Sequence, residues 1–384
     1  MDFSLSDHHV LIRDTVRDFM ASEVRPHVKD WERSDHFPLA AIQKLGALGC
    51  CGMLLPEQWG GPGLDTLSYV LMLEEIARVH TALATAISVT NSAVQTPLLG
   101  YATPEQKSRY LRRLATGEIL GAFCLTEPAA GSDAAGIQSV AVRDGDNYKL
   151  NGTKTWVTNG SAAGLLIVFA KTDPAAAGKG ITAFLLEPNT AGLKIGRHED
   201  KMGQRCSPSV ELILDNCVVP ASARLGEEGQ GLKIALSALD NGRIGIAAQA
   251  VGLAQGAFDE SVKYARVRRA FGKSIGEFQA IQWMLADMHT ELEAARALVY
   301  HAAFLKDRSA PTRHFVGSSS SRAKLYATEM ANRVVYKAVQ IHGSVGYSRE
   351  SDVERMYRDA RVLTIYEGTS EIQRTIIARD LLKV

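Results

Sequence analysis

The first 120 residues place their apolar side chains at helical intervals. Behind a cap candidate at Ser4 or Ser6, one face of the first segment carries Val10, Leu11, Val16, Phe19 and Met20. A second segment follows Pro38 with Ile42, Leu45 and Leu48. Thr103, Pro104 and Gln106 then stand in the order of an N-cap, a first-turn proline and a capping-box partner. These patterns predict a helical N-terminal domain over residues 1–120.

Residues 121–226 change to short β-type runs separated by turn signals. The turn dipeptides Asn151-Gly152 and Asn159-Gly160 bracket one run, and the apolar runs 165–170 and 181–186 follow. The middle of the chain therefore predicts a small β domain, either a barrel or a sandwich.

Residues 227–384 return to longer helical patterns whose apolar positions alternate by three and four, as in a bundle seam. The three apolar stripes are Ile244, Ala247, Val251, Ala254 and Phe258; Ile281, Leu285, Met288, Leu292, Ala295 and Val299; and Ala323, Ala327, Met330, Val334, Ala338 and Ile341. The segment after Thr369 supplies a fourth helix. The whole chain predicts an α+β, multi-domain fold that ends in a four-helix bundle.

Charge and composition exclude several classes of protein. The 384 residues contain 43 Lys and Arg against 42 Asp and Glu, so nothing in the balance favours nucleic acid. Hydrophobic residues at 46% and charged residues at 22% are typical of a globular protein. The run 165–170 is too short to span a membrane, and the start MDFSLSDHH lacks the pattern of a signal peptide. We therefore expect a cytoplasmic protein that binds no membrane.

The cysteines suggest neither disulfides nor a metal centre. The five residues are Cys50, Cys51, Cys124, Cys206 and Cys217. Their number is odd, they are scattered, and they form no C-x-x-C pair. We interpret them as reduced core thiols and predict no metal.

Two segments of the β domain could hold a ligand. In residues 125–133, small residues crowd a turn in which exposed N–H groups and the hydroxyls of Thr126 and Ser132 could bind a flat or anionic group. Trp156 and Thr158 share a face of a strand, as a wall for a flavin ring requires. An ordinary capped β-turn and half-buried strand packing explain the same residues equally well.

Three segments of the helical region add further candidates. The cations of residues 268–273 suit either a pyrophosphate clamp or a solvated helix end. Residues 340–347 form a Gly-rich loop, open to close backbone approach, in which His342 is predicted to be structural. Ser370 and Gln373 predict a capping box just after Glu367. That carboxylate is either favoured by the helix dipole or is a base that removes a proton beside a carbonyl.

Taken together, these segments resemble the acyl-CoA dehydrogenase family over the whole chain, in two long signatures. The first comprises Cys124, Leu125, Thr126, Glu127, Gly131, Ser132, Asp133 and Gly136. The second comprises Gln340, Gly343, Ser344, Gly346, Tyr347, Glu350, Arg355 and Asp359. The resemblance implies three domains, here 1–120, 121–226 and 227–384, and FAD-dependent α,β-dehydrogenation of an acyl-CoA. The chain departs from the family at Ala270, often Thr, and at Ser344, often Gly.

The resemblance also implies a non-covalent FAD shared between subunits of a homotetramer. The residues matching flavin contacts are Phe123, Leu125, Thr126, Ser132, Trp156 and Thr158. Those matching pyrophosphate and adenosine contacts, across a subunit interface, are Arg268, Phe271, Gln279, Gln340, Gly343 and Ser344. Thr369 and Glu371 complete the implied site.

Glu367 falls on the family position of the base that removes the α-proton, while a hydride leaves the β-carbon for flavin N5. Members that carry the base on the first long bundle helix have it at the position of Gly242 here. The residues matching acyl-CoA contacts are Ser132, Asp240, Arg243, Tyr366, Gly368 and Arg379.

Residues 239–249 most resemble the short-chain and short branched-chain members of the family, which pass electrons to an electron-transfer flavoprotein. An oxygen-using oxidase of the same fold is the nearest alternative. A non-catalytic assembly protein that kept the fold is a more distant one.

Overall fold

The computed structural model describes residues 4–308 and 314–383. The helices of the N-terminal domain are α1 (Asp7–Phe19), α2 (Val28–Ser34), α3 (Leu39–Ala47), α4 (Thr66–Val79), α5 (Thr81–Ser88), α6 (Thr96–Tyr101) and α7 (Pro104–Ala115). Ser6 caps α1, and Thr103 with Gln106 forms the predicted capping box at α7. Leu11 and Leu48 were wrong as core positions, because they are 65% and 46% exposed.

Helices α4 and α5 form the inner layer of this domain. Nearly every residue of both is buried, and α4 packs along the first long helix of the C-terminal region. The two helices meet at His80, whose Nδ1 accepts the N–H of Leu83 and so caps α5. This buried layer brings side chains of the N-terminal domain close to the bundle.

The strands of the middle region are β1 (Leu120–Cys124), β2 (Val140–Asp144), β3 (Asn147–Thr158), β4 (Ala163–Lys171), β5 (Ile181–Leu186), β6 (Leu193–His198), β7 (Ser209–Pro220) and β8 (Arg224–Leu225). They form one sheet in the order β6-β7-β3-β2-β4-β5-β8, with β1 added beside β4. The turn predicted at Asn151-Gly152 is wrong, since β3 continues through it with a shift in register. A Cβ at Gly152 would collide with the backbone of Ser139, which explains the glycine.

The C-terminal region contains α8 (Gly231–Val267), the hairpin strands β9 (Arg269–Ala270) and β10 (Lys273–Ser274), α9 (Gln279–Arg308), α10 (His314–His342), α11 (Asp352–Ala360) and α12 (Ser370–Leu382). The three predicted stripes lie on α8, α9 and α10 and point into the shared core. Helix α12 packs against α10 as the predicted fourth element, and α11 packs there too. Because these helices pack by their apolar stripes, polar groups buried among them need another explanation.

The cysteine prediction is confirmed: all five thiols are free and buried. Within residues 4–308 and 314–383, no helix has both the length and the apolar character that crossing a membrane requires.

Candidate active site

Glu367 lies in a tight turn between α11 and α12. Its φ is +54° and that of Gly368 is +90°, so both residues occupy the left-handed region, which a glutamate rarely adopts. Glu367 Oε2 is buried and has no hydrogen-bond partner among the described residues. Strain and an unpartnered carboxylate oxygen together mark a functional position rather than a packing one.

Two buried cations face this carboxylate. Burial raises the pKa of Glu367 to about 7, although the charges of Arg243 and Lys324 oppose the rise. Arg243, on α8, donates through Nη1 to Asp240 Oδ1 at 2.6 Å. Lys324, on α10, donates through Nζ to the carbonyl oxygen of Gly368 at 2.8 Å. A carboxyl group with a pKa near neutrality can accept a proton and return it.

Gly242 on α8 lies directly beside the carboxylate. A Cβ built at Gly242 would lie 2.7 Å from Glu367 Cδ and in contact with Oε2. Any side chain at position 242 would therefore occupy the space of the Glu367 carboxylate. The two positions at which the resemblance implies a base thus meet at one point in this chain.

The hydroxyl of Tyr366 is hydrogen-bonded to the amide side chains of two glutamines. Its hydroxyl donates to Gln249 Oε1 at 3.1 Å and lies 3.4 Å from Gln204 Nε2. The Thr85 hydroxyl on α5 lies 3.0 Å from Gln249 Oε1 and 2.7 Å from Gln204 Oε1, so its single proton can be donated to only one of these two oxygens. This network ties the turn before Glu367 to α5, to α8 and to the middle domain.

The helix after Glu367 is capped differently from the prediction. Thr369 is the N-cap, and its Oγ1 accepts the N–H of Ile372 at 3.3 Å. The Gln373 amide donates to the carbonyl oxygens of Glu367 and Gly368 at 3.3 and 2.9 Å. The Ser370–Gln373 capping box is therefore wrong, because Gln373 reaches back to the turn's carbonyls instead.

The turn at 125–133 is supported from below by a buried ion pair. Glu127 accepts the N–H of Ser139 at 3.0 Å and the ammonium of Lys154 at 2.6 Å. Burial opposes ionisation of Glu127, but the charge of Lys154 outweighs it and lowers the pKa of that carboxyl. Above this pair, Thr126 is half-buried and Ser132 is exposed, while the Leu125 side chain and the Phe123 ring pack into the core. A ligand can therefore reach Leu125 and Phe123 mainly through their backbone groups.

Trp156 leaves the sheet through a bulge. Between Lys154 and Val157 the pairing with β7 shifts register, and Trp156 has φ +58° and is 57% exposed. The N–H of Thr155, inside the bulge, donates to the carbonyl oxygen of Thr126 at 2.9 Å. The bulge therefore joins the two candidate segments of the β domain through their backbones and leaves the indole exposed.

The remaining candidates lie at the far end of the bundle. Tyr264, near the end of α8, stacks on His342 at the end of α10, with ring centroids 4.4 Å apart. That stack places the β9–β10 hairpin beside the Gly-rich loop, where six exposed candidates gather: Arg268, Phe271, Gln279, Gln340, Gly343 and Ser344. Arg268 is about 39 Å from Gly242 along the α8 axis. One dinucleotide cannot reach from this group to Glu367 of the same chain.

Three family models match the chain: the acyl-CoA dehydrogenase N-terminal domain at residues 6–118, the middle domain at 122–217 and the C-terminal domain at 229–382. The short-chain specific acyl-CoA dehydrogenase of Clostridium acetobutylicum is 42% identical over 383 residues, which cover 100% of both chains. This chain belongs to the acyl-CoA dehydrogenase family.

Solved structures agree with this assignment. Butyryl-CoA dehydrogenase from Megasphaera elsdenii superposes with a TM-score of 0.96 at 43% identity, covering 100% of both chains. A chain in the structure described as an electron transferring flavoprotein of Acidaminococcus fermentans superposes with a TM-score of 0.97 at 44% identity, again over 100% of both chains. The three-domain fold predicted from the resemblance is confirmed.

The acyl-CoA dehydrogenases are flavoproteins, and the residues present here fit a flavin. Trp156 offers an exposed aromatic ring, and Thr126 and Thr158, which lie in the two segments that the bulge joins, are half-buried. At the distal end, Phe271 is 95% exposed at the tip of its hairpin, and Arg268, three residues earlier, is exposed as well. Large exposed aromatic side chains beside cations and hydroxyls suit a ligand with stacked rings and phosphates.

One predicted substrate residue is half-buried, whereas a second and one predicted cofactor residue lie at the surface. Asp240 is half-buried and paired with Arg243. Arg379 is exposed on the outer part of α12. Glu371 is exposed in the first turn of α12, where hydrogen bonds from its own backbone N–H and from the Thr369 hydroxyl lower the pKa of its carboxyl.

Two fully buried lysines, Lys154 and Lys324, are site residues that sequence reasoning missed. A lysine in a helical or β pattern is normally read as solvated, so the pattern carries no signal for its burial. Their partners, Glu127 and the Gly368 carbonyl, become visible only in the folded chain.

Lys154→Met is expected to destabilise the protein by about 3–5 kcal/mol, because it strands the buried Glu127 carboxylate without its cation. Chemical denaturation measures the free energy of unfolding. The double variant Lys154→Met/Glu127→Gln is the matched control and should recover part of the loss. A Lys154→Met protein as stable as wild type would show that this ion pair does not support the turn.

A second buried cluster contains residue types that ligate metals, but its hydrogen bonds are incompatible with a bound ion. Ligand atoms of Glu32, His80 and Cys206 lie within 4.8 Å of one another. However, His80 Nδ1 accepts the Leu83 N–H, so Nε2 carries the ring proton toward Glu32 Oε1, 3.4 Å away. A metal on Nε2 would force that proton onto Nδ1 and break the hydrogen bond that caps α5.

The carboxylate of the same cluster is stabilised by its neighbours. Burial opposes ionisation of Glu32, but His80 and the charge of Arg355 lower its pKa to about 2.

Proposed function

We propose that this protein catalyses the α,β-dehydrogenation of a short-chain acyl-CoA to the trans-2-enoyl-CoA, with Glu367 as the base and FAD as the cofactor. The observation that carries the proposal is the buried, unpartnered Oε2 of the Glu367 carboxylate on a left-handed turn, in a family whose members catalyse this reaction. The α-proton passes to Glu367 and the two electrons leave with the β-hydride. Bound flavin would supply the acceptor for that hydride.

The surroundings of Glu367 suit a base that must act on a weakly acidic carbon. Burial already places its pKa at about 7, so a large fraction is ionised at neutral pH while the group remains a stronger base than a solvated carboxylate. Entry of the substrate removes further water, which strengthens the base again. The N–H of Glu367 would donate to the thioester oxygen as negative charge develops there.

Arg243 supports the same site from α8. Burial lowers the pKa of its guanidinium, and the charges of Asp240 and Glu367 oppose that effect. The Nε atom of Arg243 is buried without a hydrogen-bond partner among the described residues. We infer that Asp240 and Arg243 act as one unit that orients the thioester end of the CoA chain beside Gly368.

The distance between the two groups of cofactor residues supports a shared FAD. Thr126, Trp156 and Thr158 would hold the flavin of one subunit, whereas Arg268 and the residues around Gln340 lie at the other end of the bundle. Those distal residues therefore suit the dinucleotide of a neighbouring subunit. A homotetramer, in which each site draws on two chains, satisfies this geometry.

The packing beyond Glu367 supports a short acyl chain. Gly245 lies one turn along α8 from Gly242, and a Cβ there would lie 2.7 Å from both Tyr69 Oη and Ser88 Oγ. Tyr69 is buried and hydrogen-bonded to Ser88 at 3.0 Å. An acyl chain that runs along α8 from the carboxylate thus meets Tyr69 after a few carbon atoms.

Tyr69→Ala is expected to shift the chain-length preference toward longer substrates, by about fourfold in relative kcat/KM for each methylene group newly accommodated. The measurement compares kcat/KM for butyryl-, hexanoyl- and octanoyl-CoA. Tyr69→Phe keeps the ring volume and serves as the control, with an unchanged preference. If Tyr69→Ala kept the wild-type ratio, Tyr69 would not limit the pocket.

The identity of the electron acceptor can be tested directly. We propose an electron-transfer flavoprotein, which the likeness to the Acidaminococcus fermentans chain supports. Oxygen consumption with butyryl-CoA and no added acceptor would instead indicate an oxidase. Purified protein that stays colourless after incubation with FAD would indicate a non-catalytic member of the family.

A further inference from the structure

Lys324 is a buried cation without an obvious packing reason. It lies on α10 with its side chain fully removed from solvent, and its Nζ donates to the carbonyl oxygen of Gly368 at 2.8 Å. A desolvated ammonium is costly unless it is paired. Its hydrogen-bond acceptor is a neutral carbonyl, and that carbonyl belongs to the residue directly after Glu367.

The turn that Lys324 contacts is held from two helices. The Gly368 carbonyl accepts from Lys324 on α10 and from Gln373 Nε2 on α12, the second at 2.9 Å. Gln373 also donates to the Glu367 carbonyl at 3.3 Å. Two consecutive left-handed residues, one of them a glutamate, persist only where neighbouring groups enforce them.

The charges around the turn come from several elements. Glu367 faces Arg243 from α8, Lys324 from α10 and the phenols of Tyr69 and Tyr366. Lys324 in turn faces two further carboxylates, Glu329 on its own helix and Glu371 on α12, as well as the cation of Arg243. Burial lowers the pKa of Lys324 to about 8, with Glu367 opposing the fall.

Arg243 and Lys324 do not serve this carboxylate in the same way. The guanidinium of Arg243 is already paired with Asp240 Oδ1 at 2.6 Å, whereas the ammonium of Lys324 bonds to a neutral carbonyl. The charge of Lys324 is therefore directed at the turn itself. A single group then acts on both the conformation and the ionisation of Glu367.

We propose that Lys324 is a positioning residue for the base: its bond to the Gly368 carbonyl fixes the turn that aims the Glu367 carboxylate, and its positive charge favours the ionised form of that carboxylate before substrate arrives. The inference rests on the proposed function, since the role of Glu367 as base is itself proposed. It adds a second requirement to that reaction, namely a cation on α10 that acts on the base through the backbone of the turn.

The test compares Lys324→Met, Lys324→Gln and Lys324→Arg in the FAD-loaded enzyme. Lys324→Met removes charge and donor, Lys324→Gln keeps a donor without the charge, and Lys324→Arg keeps both. Lys337→Met is the matched control, because Lys337 lies on the same helix but pairs with Asp287 at 3.2 Å. The readouts are the pH dependence of kcat/KM with butyryl-CoA and an infrared titration of the Glu367 carboxylic-acid band, assigned by its absence in Glu367→Gln.

We expect the acid limb of kcat/KM and the infrared midpoint to move upward by about one pH unit or more in Lys324→Met and Lys324→Gln. In Lys324→Met, kcat should also stay about 10–100-fold low on the alkaline plateau, where Glu367 is fully ionised but poorly aimed. Lys324→Arg should restore most of the wild-type profile, and Lys337→Met should match it throughout.

An unchanged infrared midpoint in Lys324→Gln would overturn the inference, even if Lys324→Met failed to fold. A Lys337→Met protein with the same shift would also overturn it, because the effect would then be general to cations on α10. Should wild type fail to reduce its flavin with any acyl-CoA, the proposed function would fail. The infrared titration would still decide whether Lys324 controls the ionisation of Glu367.

Discussion

Replacing Glu367 by glutamine is expected to slow anaerobic reduction of bound flavin by butyryl-CoA at least about 10³-fold, because the amide cannot accept the α-proton. The substitution keeps the shape of the side chain, and the Gln373 and Lys324 contacts go to the backbone of the turn. Rapid mixing with detection of flavin absorbance measures the rate. Reduction at near the wild-type rate would remove Glu367 from the mechanism.

The same variant carries an internal control through its stability. The pKa of Glu367 is raised by burial to about 7, so the folded wild type gains stability from the bound proton at low pH and loses it as pH rises through 7. Glutamine has no such loss. Glu367→Gln should therefore be more stable than wild type by about 1–3 kcal/mol at about pH 8.5, with little difference near pH 5. A stable but inactive variant separates loss of the base from loss of fold.

Moving the carboxylate from position 367 to position 242 is expected to recover at least about tenfold of the rate that Glu367→Gly loses. The reason is that a Cβ at Gly242 would lie 2.7 Å from Glu367 Cδ, so a side chain on α8 reaches the same volume. The measurement is the flavin reduction rate of Glu367→Gly/Gly242→Glu beside that of Glu367→Gly. Equal rates in the two variants would contradict a shared position for the base.

Gly242→Glu in the wild-type background is the control for that experiment. Two carboxylates would then compete for one buried space, which combines overpacking with like-charge repulsion. We expect this variant to be less stable than wild type by about 1–3 kcal/mol and less active than the double variant. The contrast tests position rather than the mere presence of a glutamate on α8.

The fold was predictable because apolar periodicity reports burial directly. The bundle stripe from Ala323 to Ile341 is buried throughout, since a regular helix leaves no choice about which face packs. The same logic failed at Leu11, where the helix lies at the surface and the domain beneath it covers only part of its apolar face. Periodicity shows which face of a helix is apolar, but it does not show how much of that face is buried against neighbouring elements.

The sequence predicts the site only at the level of residue identities, because the family signatures specify residue types at fixed spacings. Glu367 could be singled out in that way, but its left-handed turn and the converging lysine could not. The bulge that exposes Trp156 also has no sequence signal, because a register shift depends on the partner strand. Long-range contacts such as Lys324 with Gly368 join residues 44 positions apart and exist only after folding.

The most direct test of the central claim is an anaerobic titration of the FAD-loaded wild-type protein with straight and branched acyl-CoAs from four carbons upward, followed by flavin absorbance and product analysis. We expect butyryl-CoA or a short branched acyl-CoA to bleach the flavin fastest, with one trans-2-enoyl-CoA formed for each flavin reduced. Flavin that stays oxidised with every short-chain acyl-CoA would contradict it.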